Sequence, residues 1–145
     1  MNGYVLDASV AAKWVLPARD ETLVVEAEQV LAAFVAGQYP VCVPDLFWPE
    51  ITNLLWKSVA RGRLTERDAA DRLAALQRLA LPVMPTEPLA PESLAISLAF
   101  QRSAYDSFYV ALAVHTRRWL LTADERLAHA LGTRFPVRWL GAPAL

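Results

Sequence analysis

A chain of 145 residues with a formal net charge of −1 and 55% hydrophobic residues is too apolar for a disordered protein. Its uninterrupted apolar runs are too short for a membrane span, and its single cysteine, Cys42, excludes an internal disulfide and a multi-cysteine metal site. The first ten residues lack the basic region and the cleavage site of a secretory signal. We therefore predict a single domain over residues 1–145, a cytoplasmic location and a buried Cys42.

The chain alternates short apolar runs with longer segments of helical periodicity. In chain order we predict a strand at 3–6, helices at 10–16 and 20–36, a strand at 40–43, helices at 46–61 and 65–79, an edge strand at 81–84, helices at 90–101 and 103–116, a strand at 119–122, a helix at 124–131 and a strand at 137–140. Strands that are separated by helices need crossover connections. The pattern predicts an α/β sandwich with a mainly parallel central sheet that helices cover on both faces.

Side-chain signals define several helix ends. Ser9 is predicted as the N-cap of the first helix, and Thr65 with Asp68 fits a capping box at the start of the fourth. In the helix at 103–116, Tyr105 and Tyr109 are predicted on the buried face together with Phe108 and Leu112.

Two acidic residues follow predicted strands of the sheet. Asp7 directly follows the first strand, and Asp124 comes two residues after the strand at 119–122. In open parallel sheets the functional crevice lies at the carboxyl ends of the strands. Two carboxylates on neighbouring strand ends repel each other unless a cation lies between them, and a divalent cation with oxygen ligands meets that need.

Glu50 and Asp106 are predicted at helix positions that can face the same crevice. Glu50 shares one face of its helix with Asn53 and Lys57, and a polar stripe on this mostly apolar helix indicates a cleft. Asp106 lies near the N-terminus of its helix, where anions are favoured. Each acid also has a structural alternative, since Asp106 can complete a capping box with Ser103 and Asp124 can cap the last helix.

Two further sets of residues leave their roles open. Trp48 and Trp56 lie on roughly the same side of one helix, and they fit either core packing or a surface for a partner or for RNA bases. The basic clusters at 61–63 and 117–118 fit either helix capping or RNA contact. Twelve of the 14 basic residues are arginines, which bind phosphate in bidentate fashion, but a bias in composition explains this number equally well.

Four short motifs, in this order and spacing, resemble the PIN-domain family, and specifically the VapC-type toxins of bacterial toxin–antitoxin pairs. They are Tyr4-Val5-Leu6-Asp7-Ala8-Ser9-Val10 with Ala12-Lys13-Trp14, Pro49-Glu50-Ile51 with Asn53 and Leu54, Tyr105-Asp106-Ser107-Phe108-Tyr109 with Ala111-Leu112-Ala113, and Leu121-Thr122-Ala123-Asp124 with Leu127. The resemblance spans the whole chain. It implies a three-layer α/β/α fold, a single PIN-like nuclease domain, and hydrolysis of single-stranded RNA with Mg²⁺ or Mn²⁺.

The resemblance also implies which residues form the site. The four acidic positions of the family correspond to Asp7, Glu50, Asp106 and Asp124, and its strand-end hydroxyl positions correspond to Ser9 and Thr122. A homodimer and inhibition by a small antitoxin protein are implied as well.

The chemistry of the residues predicts a mechanism. A cation held by Asp7, Asp106 and Asp124 would polarise the scissile phosphate and activate a water molecule. Glu50 would bind a second ion or act through water as a base, and Ser9 or Thr122 would hold a carboxylate or a water. The alternatives are another metal-dependent phosphoesterase, a phosphatase with Asp7 as covalent nucleophile, and a catalytically silent PIN-like module that only binds a partner.

Overall fold

A five-stranded parallel sheet forms the centre of the fold in the computed structural model, which describes residues 2–143. The strands are β1 (Tyr4–Leu6), β2 (Val41–Pro44), β3 (Val83–Met84), β4 (Trp119–Thr122) and β5 (Val137–Trp139). Their order across the sheet is β3-β2-β1-β4-β5, and each neighbouring pair is parallel. The predicted parallel α/β architecture is confirmed, and β3 is an edge strand as expected.

Helices cover the sheet on both faces. They are α1 (Ala8–Val15), α2 (Val24–Val35), α3 (Phe47–Ala60), α4 (Glu66–Gln77), α5 (Ala90–Phe100), α6 (Ala104–Thr116) and α7 (Glu125–Leu131). Two hydrophobic clusters lie between the sheet and the helices, one on each face. One cluster contains residues of α1 to α4, and the other contains residues of α5 to α7. Side chains of a strand alternate between the two clusters, as Leu6 and Val5 of β1 do. The central strands β1, β2 and β4 are therefore buried on both sides, whereas Val83 of the edge strand β3 is 46% exposed.

The strand order places the ends of β1 and β4 side by side. Leu6 pairs with Leu121, and the backbone N–H of Asp7 donates to the Leu121 carbonyl at 3.0 Å, which extends the pairing past the end of β1. Asp7 and Thr122 consequently emerge together at the carboxyl edge of the sheet.

The structure corrects three local predictions. Ser9 is not the N-cap of α1, because the helix begins at Ala8 with Asp7 at the N-cap position and the Ser9 hydroxyl donates to the Asp7 carboxylate. The second helix begins at Val24 rather than near Asp20, because Ala18–Asp20 forms a separate 3-10 turn. Tyr105 is 68% exposed, since the buried face of α6 is centred on Tyr109 and Leu112.

Other local predictions are confirmed. Thr65 accepts a hydrogen bond from the backbone N–H of Asp68 at 3.0 Å, and Cys42 is buried with 2% exposure. Within residues 2–143 no helix combines the length and the apolar character that crossing a membrane requires. Met1, Ala144 and Leu145 lie outside the described residues, so a single domain over 1–145 stays a prediction.

Candidate active site

A cleft of about 530 Å³ at the carboxyl ends of β1 and β4 brings the four candidate acids together. Asp7, Glu50, Asp106 and Asp124 all line it, and so does Ser9. The four acids are spread over 118 positions of the chain, and parallel crossovers return each of their segments to the same edge of the sheet.

Each of the four acids lies at the beginning of a helix. Asp7 occupies the N-cap position of α1 and Asp124 that of α7, while Glu50 and Asp106 lie in the first turns of α3 and α6. Helix N-termini carry partial positive charge and unpaired N–H groups. The converging helix ends therefore offset part of the repulsion among the four carboxylates.

Two hydroxyl groups hold the Asp7 carboxylate. Ser9 Oγ and Thr122 Oγ1 donate to Asp7 Oδ2 at 2.6 and 2.7 Å. The same two oxygens accept backbone N–H groups from the turn after β4, Ser9 Oγ from Ala123 and Thr122 Oγ1 from Asp124, both at 3.0 Å. Burial raises the pKa of Asp7, the two hydroxyl donors lower it, and the charges of Asp106 and Asp124 raise it. The hydroxyls thus fix the orientation of an acid that its neighbours repel.

Glu50 has an unusual environment within the cleft. Its pKa is raised to about 7, chiefly by burial; the Tyr109 hydroxyl lowers this pKa, and the charges of Asp7 and Asp106 contribute to raising it. Its Oε1 atom is buried and has no hydrogen-bond partner among the described residues. A buried carboxylate oxygen without a partner is costly, so this atom is poised to bind a cation or a proton.

Asp106 and Asp124 already contact other groups of the protein. Arg102 Nη2 donates to Asp106 Oδ2 at 3.2 Å, and Asp124 Oδ1 accepts from the backbone N–H of Leu127 at 3.2 Å. The capping alternative for Asp124 is therefore observed together with its place in the cleft. Asp106 completes only half of a capping box, because its N–H bonds to Ser103 while its carboxylate turns to Arg102.

Sequence reasoning missed three groups that belong to this region. Lys13 and Glu21 both line the cleft and form an ion pair of 3.3 Å, with 8% and 19% of their side chains exposed. Tyr109 approaches Glu50 and also accepts the N–H of Ala8 at 3.4 Å. Helical spacing could have signalled Lys13, four residues after Ser9, and Tyr109, three after Asp106. No sequence signal connects Lys13 to Glu21, because a 3-10 turn separates them.

Comparison with known proteins decides the family. The PIN domain model matches residues 4–131, which include all four acids. The chain is also 35% identical over 127 residues to ribonuclease VapC3 of Pyrobaculum aerophilum, which covers 86% of this chain and 91% of that protein. The chain belongs to the PIN-domain family. The family predicted from the four sequence motifs is thereby confirmed.

Solved structures share the fold of this PIN domain. VapBC2 from Rickettsia felis bound to a DNA fragment from their promoter matches with a TM-score of 0.66 at 10% identity, over 94% of this chain and 97% of that one. A toxin–antitoxin complex from Klebsiella pneumoniae matches with a TM-score of 0.64 at 14% identity, over 97% and 99%. At such low identity the likeness concerns the fold, which agrees with the predicted three-layer α/β/α sandwich.

The donor set of this PIN domain fits a divalent metal ion. Its four carboxylates offer only oxygen, the ligand that Mg²⁺ and Mn²⁺ prefer, and the unpartnered Glu50 Oε1 is free to bind. Within residues 2–143, however, no three or more His, Cys, Asp or Glu side chains are already arranged to hold a metal ion. Asp106 and Asp124 point to protein partners instead. Binding a metal would therefore require side chains of the cleft to reorient.

Proposed function

We propose that this PIN-domain nuclease is a Mg²⁺-dependent endoribonuclease that cleaves single-stranded RNA and acts in the cytoplasm as the toxin of a toxin–antitoxin pair. One observation carries the proposal, namely the four carboxylates that line a single cleft at the carboxyl edge of the sheet. The similarity to ribonuclease VapC3 supports RNA as the substrate.

The residues of the cleft have distinct proposed roles. Asp7, Asp106 and Asp124 would hold Mg²⁺ or Mn²⁺, with Ser9 and Thr122 keeping the Asp7 carboxylate in place. When bound, the ion would polarise the scissile phosphate and lower the pKa of a water molecule. Glu50 would either bind an ion through its unpartnered Oε1 atom or accept a proton there, since a pKa of about 7 suits a general base at neutral pH. No side chain has to form a covalent intermediate.

Partner proteins are part of the proposal. The structures of a toxin–antitoxin complex and of VapBC2 support an antitoxin as the partner of this chain. Apolar side chains on the surface favour protein contacts: Trp56 of α3 is 65% exposed, and Leu94 and Leu98 of α5 are 59% and 74% exposed. Trp48, by contrast, packs edge to face against Phe47 with ring centroids 5.2 Å apart. We assign the exposed surfaces to a homodimer contact and to the antitoxin.

Cleavage of a labelled single-stranded RNA tests the proposed activity. Wild type with Mg²⁺ should produce defined fragments, whereas wild type with EDTA and Asp7→Asn with Mg²⁺ should not. Asp71→Asn, an exposed acid of α4 outside the cleft, is the matched control and should cleave normally. Wild-type protein that leaves RNA intact under all conditions would favour a silent binding module, and phosphate trapped covalently on Asp7 would favour a phosphatase.

A further inference from the structure

A second groove adjoins the acid cleft. It has a volume of about 390 Å³ and shares Leu16, Glu21 and Leu54 with the cleft, so the two form one continuous trough. Lys13 and Glu21 form their ion pair beside the junction. An extended ligand bound at the acids can therefore continue past Leu16, Glu21 and Leu54 into the second groove.

The second groove contains basic side chains. Lys57, Arg61 and Arg63 line it. Arg63 is paired with Asp20 at 2.6 Å, whereas Lys57 and Arg61 are exposed and have no acidic partner among residues 2–143. At the end of α3 the backbone N–H of Arg61 donates to the Lys57 carbonyl, whereas the Arg61 side chain makes no hydrogen bond among residues 2–143. Helix capping by the side chain therefore does not explain the position of this arginine.

One face of α3 runs from the acid cleft to the two unpaired basic side chains, Lys57 and Arg61. Glu50, Leu54, Lys57 and Arg61 follow one another at intervals of three or four residues, which places them along a single face of the helix. At 1.5 Å per residue, Lys57 is about 10 Å and Arg61 about 16 Å from Glu50 along the axis. A small ligand cannot reach both the acids and Arg61, but a polymer with regularly spaced negative charges can.

We propose that Lys57 and Arg61 bind the phosphate backbone of single-stranded RNA next to the scissile bond and guide the strand along α3 into the acid cleft. This inference rests on the proposed function, because it identifies where the RNA lies relative to the proposed site. Cationic grooves of this kind follow the backbone of a single strand and do not read its sequence. Lys57 and Arg61 are positioning residues, and the chemistry stays with the acids.

Binding and kinetics of Lys57→Gln/Arg61→Gln test the inference. The matched control is Arg78→Gln/Arg117→Gln, which removes two exposed arginines that precede β3 and β4 and so lie towards the opposite edge of the sheet. Fluorescence anisotropy with a labelled 12-nucleotide uridine oligonucleotide in EDTA measures binding without cleavage. Cleavage of the same RNA in Mg²⁺ gives KM and kcat.

The inference predicts that Lys57→Gln/Arg61→Gln, the groove variant, binds RNA at least about tenfold more weakly than wild type. The slope of log affinity against log salt concentration should be less steep by about 1.4, the value for two lost phosphate contacts on a single strand. KM should rise with kcat nearly unchanged, and the control should match wild type. Groove and control variants that bind and cleave alike would overturn the inference while leaving the nuclease proposal intact. An acidic peptide that binds at these residues without displacing RNA would assign the groove to a protein partner and would also overturn it.

Discussion

Asp7 and Thr122 lie 115 positions apart in the chain and are joined by a hydrogen bond of 2.7 Å from Thr122 Oγ1 to Asp7 Oδ2. Thr122 is fully buried, and its hydroxyl also accepts the backbone N–H of Asp124 at 3.0 Å. One hydroxyl therefore links the acid after β1 to the acid after β4. The order of the strands makes this contact possible, because β1 and β4 are neighbours.

Replacing this hydroxyl with a methyl group should damage both the fold and the site. Thr122→Val preserves the shape of the side chain but leaves the Asp124 N–H without its acceptor, at a cost of about 1 to 3 kcal/mol in the free energy of unfolding. RNA cleavage should fall more than stability alone explains, since Asp7 loses a donor. Urea unfolding and cleavage rates measure the two effects. Thr122→Ser keeps the hydroxyl and should stay close to wild type, and equal losses in both variants would contradict the role of the hydroxyl.

The raised pKa of Glu50 predicts how stability depends on pH in the absence of metal. The folded protein keeps a proton on Glu50 up to a pKa of about 7, whereas the ordinary value is 4.5, so this proton stabilises the fold fully below pH 4.5. The stabilisation is lost as pH rises through about 7. In EDTA, wild type should therefore lose stability between pH 5 and pH 8.

Glu50→Gln has no such proton to release and should lose less stability over that range, by on the order of 1 kcal/mol after allowance for solvent screening. Urea unfolding in EDTA at the two pH values measures the difference. The raised pKa of Asp7 adds a dependence of the same sign to both proteins, so only the difference between them is assigned to Glu50. Glu28→Gln, an exposed acid of α2, is the control. If Glu50→Gln and wild type lose the same amount of stability, Glu50 is not the responsible group.

Arg102 is predicted to compete with a metal ion for Asp106. Its guanidinium lies 3.2 Å from Asp106 Oδ2, and its buried Nε has no hydrogen-bond partner among the described residues. Removing this positive charge should strengthen Mn²⁺ binding roughly three- to tenfold, because like charges no longer oppose each other. Isothermal titration of Arg102→Gln and of the control Arg117→Gln measures the change. Weaker binding in Arg102→Gln would mean that the arginine orients Asp106 for the metal instead.

The sequence predicted the fold and the position of the acids well, for a physical reason. Apolar runs identify buried strands, and parallel crossovers bring residues such as Asp7 and Asp124 to the same edge. It failed where several tertiary partners compete for one side chain. Serine is a residue type that is common at N-cap positions, but the Ser9 hydroxyl bonds to Asp7 and to the turn after β4. Neither contact can be recognised from the neighbouring sequence. The ion pair of Lys13 and Glu21 could not be predicted from the sequence for the same reason.

Direct measurement of Mn²⁺ binding tests the central claim that the four carboxylates of the cleft form one divalent-cation site. By isothermal titration at pH 8, wild type should bind Mn²⁺. Asp7→Asn and Asp106→Asn should each weaken binding at least about tenfold, since each removes a charged ligand. Asp124→Asn and Glu50→Gln should weaken it less, and Asp71→Asn should leave it unchanged. Wild-type affinity in Asp7→Asn and Asp106→Asn, or a wild type that binds no Mn²⁺, would contradict the claim.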